Sequence, residues 1–317
     1  MRSKAARAVM VFLALLPGPA LAGLPSPGRL VQVIVVVWDG AQRNHVQEML
    51  DSHALPNLEA MIGNGGLWRA DMVIHTTACE VGDGDGYTTM TCPAMAALVT
   101  GYGYPLNHCY SNGRCGTLAD GTSIFERMKT FDPDIRTGMI TSHSLTCWPS
   151  PVLDAAAEAL DVQYHDLDVS GNSTTIRGLQ FVDAYRRDPF LLVLHYGGPD
   201  FQGHSRGENS EQYDTILMVN DGGLGRIRAR LADLGMARST ILLVTADHGF
   251  EEGAKNHVGC LDDDRNLWIA SSRAAAIGNL AAPAWQTSMA PTIFDLFGMS
   301  KDVLPPFGAE SLVLWEN

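Results

Sequence analysis

The stretch Val31-Gln32-Val33-Ile34-Val35-Val36-Val37-Trp38-Asp39-Gly40 decides the fold of this chain. Up to Trp38 it is almost entirely apolar and mostly β-branched, which is typical of a strand buried on both faces of a parallel sheet. An aspartate follows the run at once. Because sites in open α/β sheets form beyond the carboxyl ends of the strands, Asp39 is the first candidate for a functional side chain.

Further strands and helices are predicted in alternation along the chain. Apolar runs predict strands at residues 136–141, 190–195, 240–245 and 268–270. Helical spacing predicts helices from residue 55 to about residues 63–66, at 210–234 and at 289–297, although Gly222 and Gly223 weaken the second of these. This alternation predicts an α/β fold, a three-layer α/β/α sandwich around a mostly parallel central sheet.

Five acidic or imidazole side chains follow the later predicted strands: Asp200, His204, Asp247, His248 and His257. The glycines around Asp200 and His204 predict a loop there. Carboxylates and imidazoles are ordinary zinc ligands, and manganese or calcium would also accept the carboxylates. The pattern predicts bound divalent metal ions, with zinc as the most expected metal, and a set of ligands that suits hydrolysis.

A candidate nucleophile, Thr91, opens the stretch Thr91-Cys92-Pro93-Ala94-Met95. Proline is tolerated in the first turn of a helix, so we expect Thr91 to stand at a helix N-terminus. Free N–H groups and the helix dipole favour a bound phosphate at that position. A metal ion beside the hydroxyl would lower its pKa and make it a nucleophile.

The first 22 residues have the features of a secretion signal. Arg2, Lys4 and Arg7 precede an apolar run, and Ala20-Leu21-Ala22 is a small-residue cleavage pattern. The run is too short to span a bilayer comfortably, and no later segment is apolar enough to do so. We expect removal of residues 1–22, a single catalytic domain over residues 23–317, no transmembrane segment after cleavage, and a secreted or periplasmic location.

The charge of the chain limits its partners. Cleavage of the signal would remove three positive charges and take the net charge from −13 to about −16. An acidic surface of this kind disfavours nucleic acid or an anionic membrane as a scaffold partner. Together with the phosphate site expected at Thr91, this leaves a small-molecule phosphate ester as the expected partner, and the oligomeric state is left open.

Six cysteines follow the signal, and an oxidising compartment favours disulfides. Cys109 and Cys115 flank a short loop and are the expected pair. Cys92 is predicted to be a small buried hydrophobic residue. No Cys-x-x-Cys spacing indicates a thiolate zinc site.

Taken in order, these motifs resemble the alkaline phosphatase superfamily, and most closely its type I phosphodiesterase/nucleotide pyrophosphatase branch. The resemblance covers nearly all of the mature chain, and no single motif carries it. Its residues include Asp39-Gly40, Pro56-Asn57-Leu58, Thr91-x-Pro93, Tyr104-Pro105, Asn107-His108, Asn112, Pro199-Asp200-x-x-Gly203-His204, Tyr213, Asp221 and Asp247-His248-Gly249.

The resemblance implies a two-metal site and a covalent mechanism. One metal would be bound by Asp39, Thr91, Asp247 and His248, and the other by Asp200, His204 and His257. Thr91 would attack phosphorus and form a phospho-threonine, which water then hydrolyses. Asn112 lies where the diesterase branch carries an asparagine that contacts a phosphate oxygen, and an amide donor stabilises charge developing there. The expected activity is therefore that of a phosphodiesterase.

Other functions of the same superfamily remain as alternatives. A phosphomonoesterase would use the same metals and nucleophile. A sulfatase would need a Cys or Ser within Cys-x-Pro-x-Arg, whereas here Thr91 takes that place, Pro93 follows Cys92 directly and no arginine follows. A phosphosugar mutase relative conflicts with export, and a catalytically inactive metal-binding relative conflicts with the complete set of ligand residues.

Overall fold

The structure, a computed structural model, describes residues 31–74, 89–103, 106–142, 157–257, 265–299 and 309–314. Its strands are β1 (Gln32–Trp38), β2 (Leu67–Val73), β3 (Cys109–Ser111), β4 (Arg114–Cys115), β5 (Arg136–Thr141), β6 (Val162–His165), β7 (Phe190–Tyr196), β8 (Thr240–Thr245) and β9 (Asn266–Ser271). Its helices are α1 (Arg43–Asp51), α2 (Pro56–Gly63), α3 (Thr91–Thr100), α4 (Ile124–Phe131), α5 (Asn172–Ala184), α6 (Gly198–Arg206), α7 (Glu211–Asp233), α8 (Ala274–Ile277) and α9 (Met289–Leu296). Short 3₁₀ turns lie at Ala157–Ala159 and Gln286–Ser288.

Seven strands form one sheet in the order β2-β9-β8-β1-β7-β5-β6, and β3 pairs with β4 in a separate hairpin. The pairs that β1 makes with β7 and β8, and that β5 makes with β6 and β7, are all parallel. Strand β9 is antiparallel to both of its neighbours. The predicted mostly parallel sheet is therefore confirmed, with one strand reversed near its edge.

The sheet is covered on both faces. All seven residues of β1 are buried, and since neighbouring side chains of a strand point to opposite faces, helices must pack on each side. Helices α2, α5 and α6 pack against α7, whereas α3 packs against α4 and α9. The three-layer α/β/α arrangement predicted from the sequence is confirmed.

Strands β2 and β6 were not predicted, because neither reads as an apolar run. In β2 the charged residues Arg69 and Asp71 interrupt the pattern, and β6 alternates between half-buried and exposed positions as an edge strand does. Helix α7 is continuous through its glycine pair. A Cβ on Gly223 would lie 2.8 Å from the Thr175 hydroxyl oxygen, so glycine lets α7 approach α5 closely, and packing compensates its poor helix propensity.

The Cys109–Cys115 disulfide is present and joins β3 to β4, as predicted. Cys92 is fully buried in the core, as predicted, and it is also disulfide-bonded. No cysteine spacing in the sequence singles out this second bond.

No helix in the described ranges combines the length and apolarity needed to cross a membrane. The predicted signal at residues 1–22 lies outside the described residues, as do Tyr104 and Pro105 of the resemblance.

The register of the sheet brings the candidate residues to one edge. Val37 in β1 pairs with His195 in β7 and with Thr245 in β8, and His195 pairs in turn with Thr141 in β5. Paired residues of a parallel sheet share a face. Asp39 and Asp247 follow two residues after Val37 and Thr245, so both carboxylates lie just beyond this row.

Candidate active site

Three buried aspartates form the centre of the site. Asp39 and Asp247 are fully buried and Asp200 is 6% exposed. Burial and the nearby charge of Asp39 raise the pKa of Asp247. Buried carboxylates gathered in this way require positive charge beside them, because desolvation otherwise disfavours their ionised forms.

The first predicted ligand group, Asp200, His204 and His257, is brought together. Asp200 Oδ1 lies 3.4 Å from His204 Nε2 and 3.4 Å from His257 Nε2. The two Nε2 atoms are 3.0 Å apart. These three side chains can offer their ligand atoms to one ion.

The second predicted ligand group, which includes Asp39 and Asp247, lies around the His248 ring. The His248 Nε2 atom is 3.2 Å from Asp39 Oδ1 and 3.7 Å from Asp247 Oδ2. Asp200 Oδ1 lies 4.0 Å from the same nitrogen. Asp39, Asp200 and His248 thus form another cluster that can hold an ion, and Asp200 belongs to both clusters. Adjacent clusters that share a carboxylate suit two ions bound side by side.

The histidine rings present their Nε2 atoms to this centre because their other nitrogens are occupied. The Nδ1 atoms of His204, His248 and His257 lie 2.8, 3.0 and 2.8 Å from the backbone carbonyl oxygens of Lys255, Gly249 and Thr89, respectively. A carbonyl oxygen can only accept, so each Nδ1 carries a proton, and the Nε2 of each ring in its neutral form keeps a lone pair. Metal-binding histidines are held in this way.

The charges at the site also fit a divalent cation. Burial disfavours protonated His248, but the charges of Asp247, Asp39 and Asp200 raise its pKa to about 10. Burial and the charge of His248 instead lower the pKa of His257. In the metal-free protein the carboxylates therefore draw a proton onto His248, and a bound cation would take the place of that charge.

Thr91 is the first residue of α3, as predicted, and is 2% exposed. Its Oγ1 lies 3.2 Å from His248 Nε2 and 3.5 Å from Asp39 Oδ1. The hydroxyl therefore borders the second group of ligand residues, and the N-terminus of a helix lies directly behind it.

The side-chain amide of Asn112 lies at the start of α3, next to Thr91. The backbone N–H of Cys92 donates to Asn112 Oδ1 at 3.0 Å. Because Oδ1 is the acceptor, Nδ2 is the donor end of this side chain. Asn112 belongs to the β3–β4 hairpin that the Cys109–Cys115 disulfide closes.

The loop predicted around Asp200 and His204 is a helix, so that prediction was wrong. Both residues lie in α6 four positions apart, on the same side of the helix. The surrounding glycines provide space, since a Cβ on Gly203 would lie 2.6 Å from the Phe250 ring. Close packing explains these glycines better than chain flexibility does.

Some of the residues that carry the family resemblance lie outside the site and hold neighbouring backbone in place through hydrogen bonds. The Tyr213 hydroxyl donates to the Gly40 carbonyl at 2.6 Å and accepts from the Gln42 N–H at 2.9 Å, which fixes the turn after Asp39. Asp221 accepts from the N–H groups of Asn57 at 3.0 Å and Leu58 at 2.7 Å, at the start of α2.

His195 lies in the centre, whereas His108 does not. The sequence favoured a structural role for both. His108 is exposed, and its Nδ1 lies 3.0 Å from the Thr117 carbonyl oxygen. His195 is 1% exposed, with its Nε2 at 3.3 Å from Asp39 Oδ2. Its position at a strand end was the only sequence signal that could have singled it out.

The charged form of His195 is favoured by its neighbours. Burial acts against that form, but hydrogen bonds and charges from Asp247 and Asp39 outweigh burial and raise the pKa of His195 to about 9 in the metal-free protein. His195, Asp39 and Asp247 form a third group whose ligand atoms lie close together.

A known protein family matches most of this chain. Residues 33–284 match the model of the type I phosphodiesterase/nucleotide pyrophosphatase family, and the chain belongs to that family. The family predicted from the sequence is thereby confirmed.

Individual relatives match over shorter stretches. The chain is 30% identical to arylsulfatase A of Homo sapiens over 136 residues, which is 40% of this chain and 26% of that protein. It is 34% identical to the bis(5'-adenosyl)-triphosphatase ENPP4 of Bos taurus over 92 residues, 27% of this chain and 20% of that protein. It thus spans about a quarter or less of either relative.

Solved structures show the same fold at low identity. The C-terminal periplasmic domain of EcEptC from Escherichia coli, solved in complex with Zn, superposes with a TM-score of 0.61 at 15% identity. The match covers 92% of this chain and 88% of that one. The alkaline phosphatase-like fold expected from the sequence is confirmed by this superposition.

Proposed function

We propose that this chain is a metal-dependent phosphoric ester hydrolase that acts through a covalent phospho-threonine at Thr91. The position of the Thr91 hydroxyl carries the proposal, since it lies at a helix N-terminus within 3.5 Å of both Asp39 and His248. Membership of the type I phosphodiesterase/nucleotide pyrophosphatase family supports the same chemistry.

Two divalent ions, zinc first, would be bound by the two groups of ligands described above. Asp200, His204 and His257 would hold one ion, and Asp39, Asp247, His248 and Thr91 would hold the other. When bound, such ions supply positive charge to the attacking and leaving oxygens of a phosphoryl group. The backbone carbonyls behind three of the histidines would keep the rings oriented during turnover.

The reaction has two displacement steps. Thr91 loses its hydroxyl proton and its oxygen forms a bond to phosphorus, while the bond from phosphorus to the leaving oxygen breaks and the leaving oxygen takes up a proton. A water oxygen then bonds to the same phosphorus and the water loses a proton, while the bond from phosphorus to the Thr91 oxygen breaks and that oxygen takes up a proton. Asn112 Nδ2 would donate to a non-bridging oxygen, where negative charge grows in each step.

The substrate would be a small phosphate ester, and a diester is favoured over a monoester because of Asn112. A diester carries one non-bridging oxygen fewer to bind metal, so a neutral amide donor beside the nucleophile suits it. ENPP4, by its name, acts on a bis-adenosyl triphosphate, and a nucleotide diester or pyrophosphate is one class to test here.

A sulfatase is the second candidate, because arylsulfatase A is among the relatives. Thr91 argues against a sulfatase, because the formylglycine of sulfatases derives from Cys or Ser. Three chromogenic esters separate the possibilities: bis(4-nitrophenyl) phosphate, 4-nitrophenyl phosphate and 4-nitrophenyl sulfate. We expect kcat/KM to be highest for the diester. Fastest cleavage of the sulfate would identify a sulfatase, and bound metal with no turnover of any ester would identify an inactive relative.

We also propose that residues 1–22 are a cleaved secretion signal and that residues 23–317 form one catalytic domain outside the cytoplasm. The basic start, the short apolar run and the Ala20-Leu21-Ala22 pattern support this. Expression of the full chain in a secreting host, followed by N-terminal sequencing of the exported protein, tests it. The expected first residue lies near Gly23, and an intact Met1 on exported protein would contradict cleavage.

A further inference from the structure

Thr89 and His257 are joined by two hydrogen bonds that run in opposite directions. The Thr89 hydroxyl donates to the His257 backbone carbonyl oxygen at 2.7 Å, and the His257 Nδ1–H donates to the Thr89 carbonyl oxygen at 2.8 Å. Both acceptors are carbonyl oxygens, which can only accept, so the direction of each bond is fixed. Both residues are buried. One bond therefore holds the backbone of His257, and the other holds its ring.

Thr89 also lies two residues before the candidate nucleophile, Thr91. The residue between them, Met90, is the N-cap of α3, and its backbone is extended with no side-chain cap hydrogen bond. An apolar N-cap side chain cannot accept from the first turn of its helix, so contacts from elsewhere in the fold have to fix where that turn lies. The amide of Asn112 is one such contact. The pair of hydrogen bonds between Thr89 and His257 is another, directly before the helix.

The two groups of ligand residues meet at the His257 ring. Its Nε2 faces Asp200 and His204, the other members of the first group. Its face stacks on the ring of His248, with centroids 4.0 Å apart and an interplanar angle of 21°. His248 Nε2 in turn lies 3.2 Å from Thr91 Oγ1. A displacement of His257 would therefore disturb both groups and the surroundings of the nucleophile.

We propose that Thr89 is a positioning residue whose hydroxyl and carbonyl together hold His257 in place as a metal ligand. Because Thr89 lies next to the N-cap of α3, the same two bonds keep the first ligand group at a fixed place relative to Thr91. Outer hydrogen bonds of this kind orient a ligand and strengthen metal binding. The inference rests on the proposed function in taking His257 to be a metal ligand and Thr91 to be the nucleophile.

The competing explanation is that the Thr89 hydroxyl only satisfies a buried carbonyl group. In that case its loss would lower the stability of the fold, because a buried acceptor would lose its donor, and zinc binding would not change. Thr100 provides a matched control for this explanation. It is fully buried at the other end of α3, and its hydroxyl donates to the Ala96 carbonyl oxygen at 2.7 Å.

The first test is the zinc dissociation constant, measured by chelator competition for wild type, Thr89→Val, Thr89→Ser and Thr100→Val. Valine has the shape of threonine without the hydroxyl, whereas serine keeps the hydroxyl. Loss of an outer partner of a metal ligand typically weakens metal binding by about 10–100-fold. We expect a rise of that size in Thr89→Val and little change in Thr89→Ser and Thr100→Val, whatever their melting temperatures. Equal zinc affinity in all four proteins would overturn the proposal.

The second test asks whether Thr89 acts through His257. In the His257→Gln background the ring that Thr89 holds is gone, so Thr89→Val should leave the remaining zinc affinity nearly unchanged. The two substitutions would then be non-additive, as expected of residues in direct contact. The same loss of zinc affinity on Thr89→Val in both backgrounds would show that Thr89 acts by another route, and would refute the proposal.

A crystal structure of the zinc-loaded wild-type protein judges the proposal should Thr89→Val fail to fold. It should show both hydrogen bonds between Thr89 and His257, with zinc on His257 Nε2. Bound zinc with those bonds broken, or with His257 turned away from it, would refute the positioning role.

The outcomes also separate this inference from the proposed function. Zinc affinity that depends on the Thr89 hydroxyl, in a protein that cleaves no ester, would refute the proposed function and leave the positioning role standing. Ester cleavage with zinc affinity independent of Thr89 would do the reverse. A wild-type chain that binds no zinc and cleaves no ester would refute both.

Discussion

His204 Nε2 and His257 Nε2 lie only 3.0 Å apart, although one belongs to α6 and the other follows β8 by twelve residues. Each ring already donates from Nδ1 to a backbone carbonyl. Two Nε2 lone pairs at this distance repel unless a proton or a metal ion lies between them or beside them. Asp200 Oδ1 lies 3.4 Å from both nitrogens and is the third potential metal-ligand atom around that position.

Removal of one of these rings should remove one ion. His204→Ala is the suitable variant, because the side chain is 46% exposed and its loss should not disturb the core. Elemental analysis of purified protein should fall from about two zinc ions per chain to about one. The control is His53→Ala, an exposed histidine in a surface pair with Glu59. An unchanged metal content in His204→Ala would reject its role as a ligand.

Loss of the Thr91 hydroxyl should abolish turnover while leaving the metal site in place. Thr91→Ala removes the atom that would bond to phosphorus, so kcat should fall by several orders of magnitude for every substrate. Thr91→Ser keeps a hydroxyl and should retain measurable activity. Zinc content and melting temperature, measured alongside, should stay near those of wild type. Turnover of Thr91→Ala close to that of wild type would exclude the covalent mechanism.

Metal binding should release protons at neutral and mildly alkaline pH. His248 has a pKa of about 10 in the metal-free protein, so at pH 8 its ring is protonated and Nε2 cannot bind a cation. Binding must displace that proton, and the apparent affinity should therefore drop about tenfold for each pH unit below 10. Calorimetry in buffers of different protonation enthalpy counts the protons. A count of zero at pH 8 would contradict the role of His248.

Gly40 should tolerate no side chain, for two separable reasons. It has φ +67°, and a Cβ there would lie 2.7 Å from the Phe250 ring and 3.1 Å from Asp200 Cα. Gly235 has φ +70° with open space around it, so Gly235→Ala measures backbone strain alone, about 1–2 kcal/mol. Gly40→Ala should lose about 1–3 kcal/mol more through crowding.

Urea denaturation gives both free energies of unfolding. Because the crowded atoms include Asp200 Cα at 3.1 Å, Gly40→Ala should also weaken zinc binding, whereas Gly235→Ala should not. Equal destabilisation by the two variants, with unchanged zinc affinity, would show that the turn after Asp39 does not set the position of Asp200.

The elements that the sequence predicted well are those whose local pattern and tertiary environment agree. Strand β1 is buried on both faces, so its composition alone identified it. Helix α6 was mistaken for a loop because Gly198 and Gly203 are poor helix formers. The sequence does not reveal what each glycine packs against, which is the Val169 carbonyl and the Ile216 side chain for Gly198, and the Phe250 ring for Gly203. Strands β2 and β9 lie at one edge of the sheet, where β9 runs antiparallel to both of its neighbours. The direction of a strand is set by the strands with which it pairs, and its own sequence pattern does not indicate it.

The sequence by itself determined the family, the layered α/β architecture and the side chains that could bind metal, because buried strands and the ligand chemistry of aspartate and histidine are properties of residue type and order. The tertiary structure decided how those side chains are grouped and protonated. Pairing of Val37 with His195 and Thr245 sets the row beyond which Asp39 and Asp247 lie. The backbone carbonyls that face the Nδ1 atoms of His204, His248 and His257 leave Nε2 as the nitrogen of each ring that can bind a cation. For His204 and His257 those carbonyls belong to Lys255 and Thr89, which are distant in the chain.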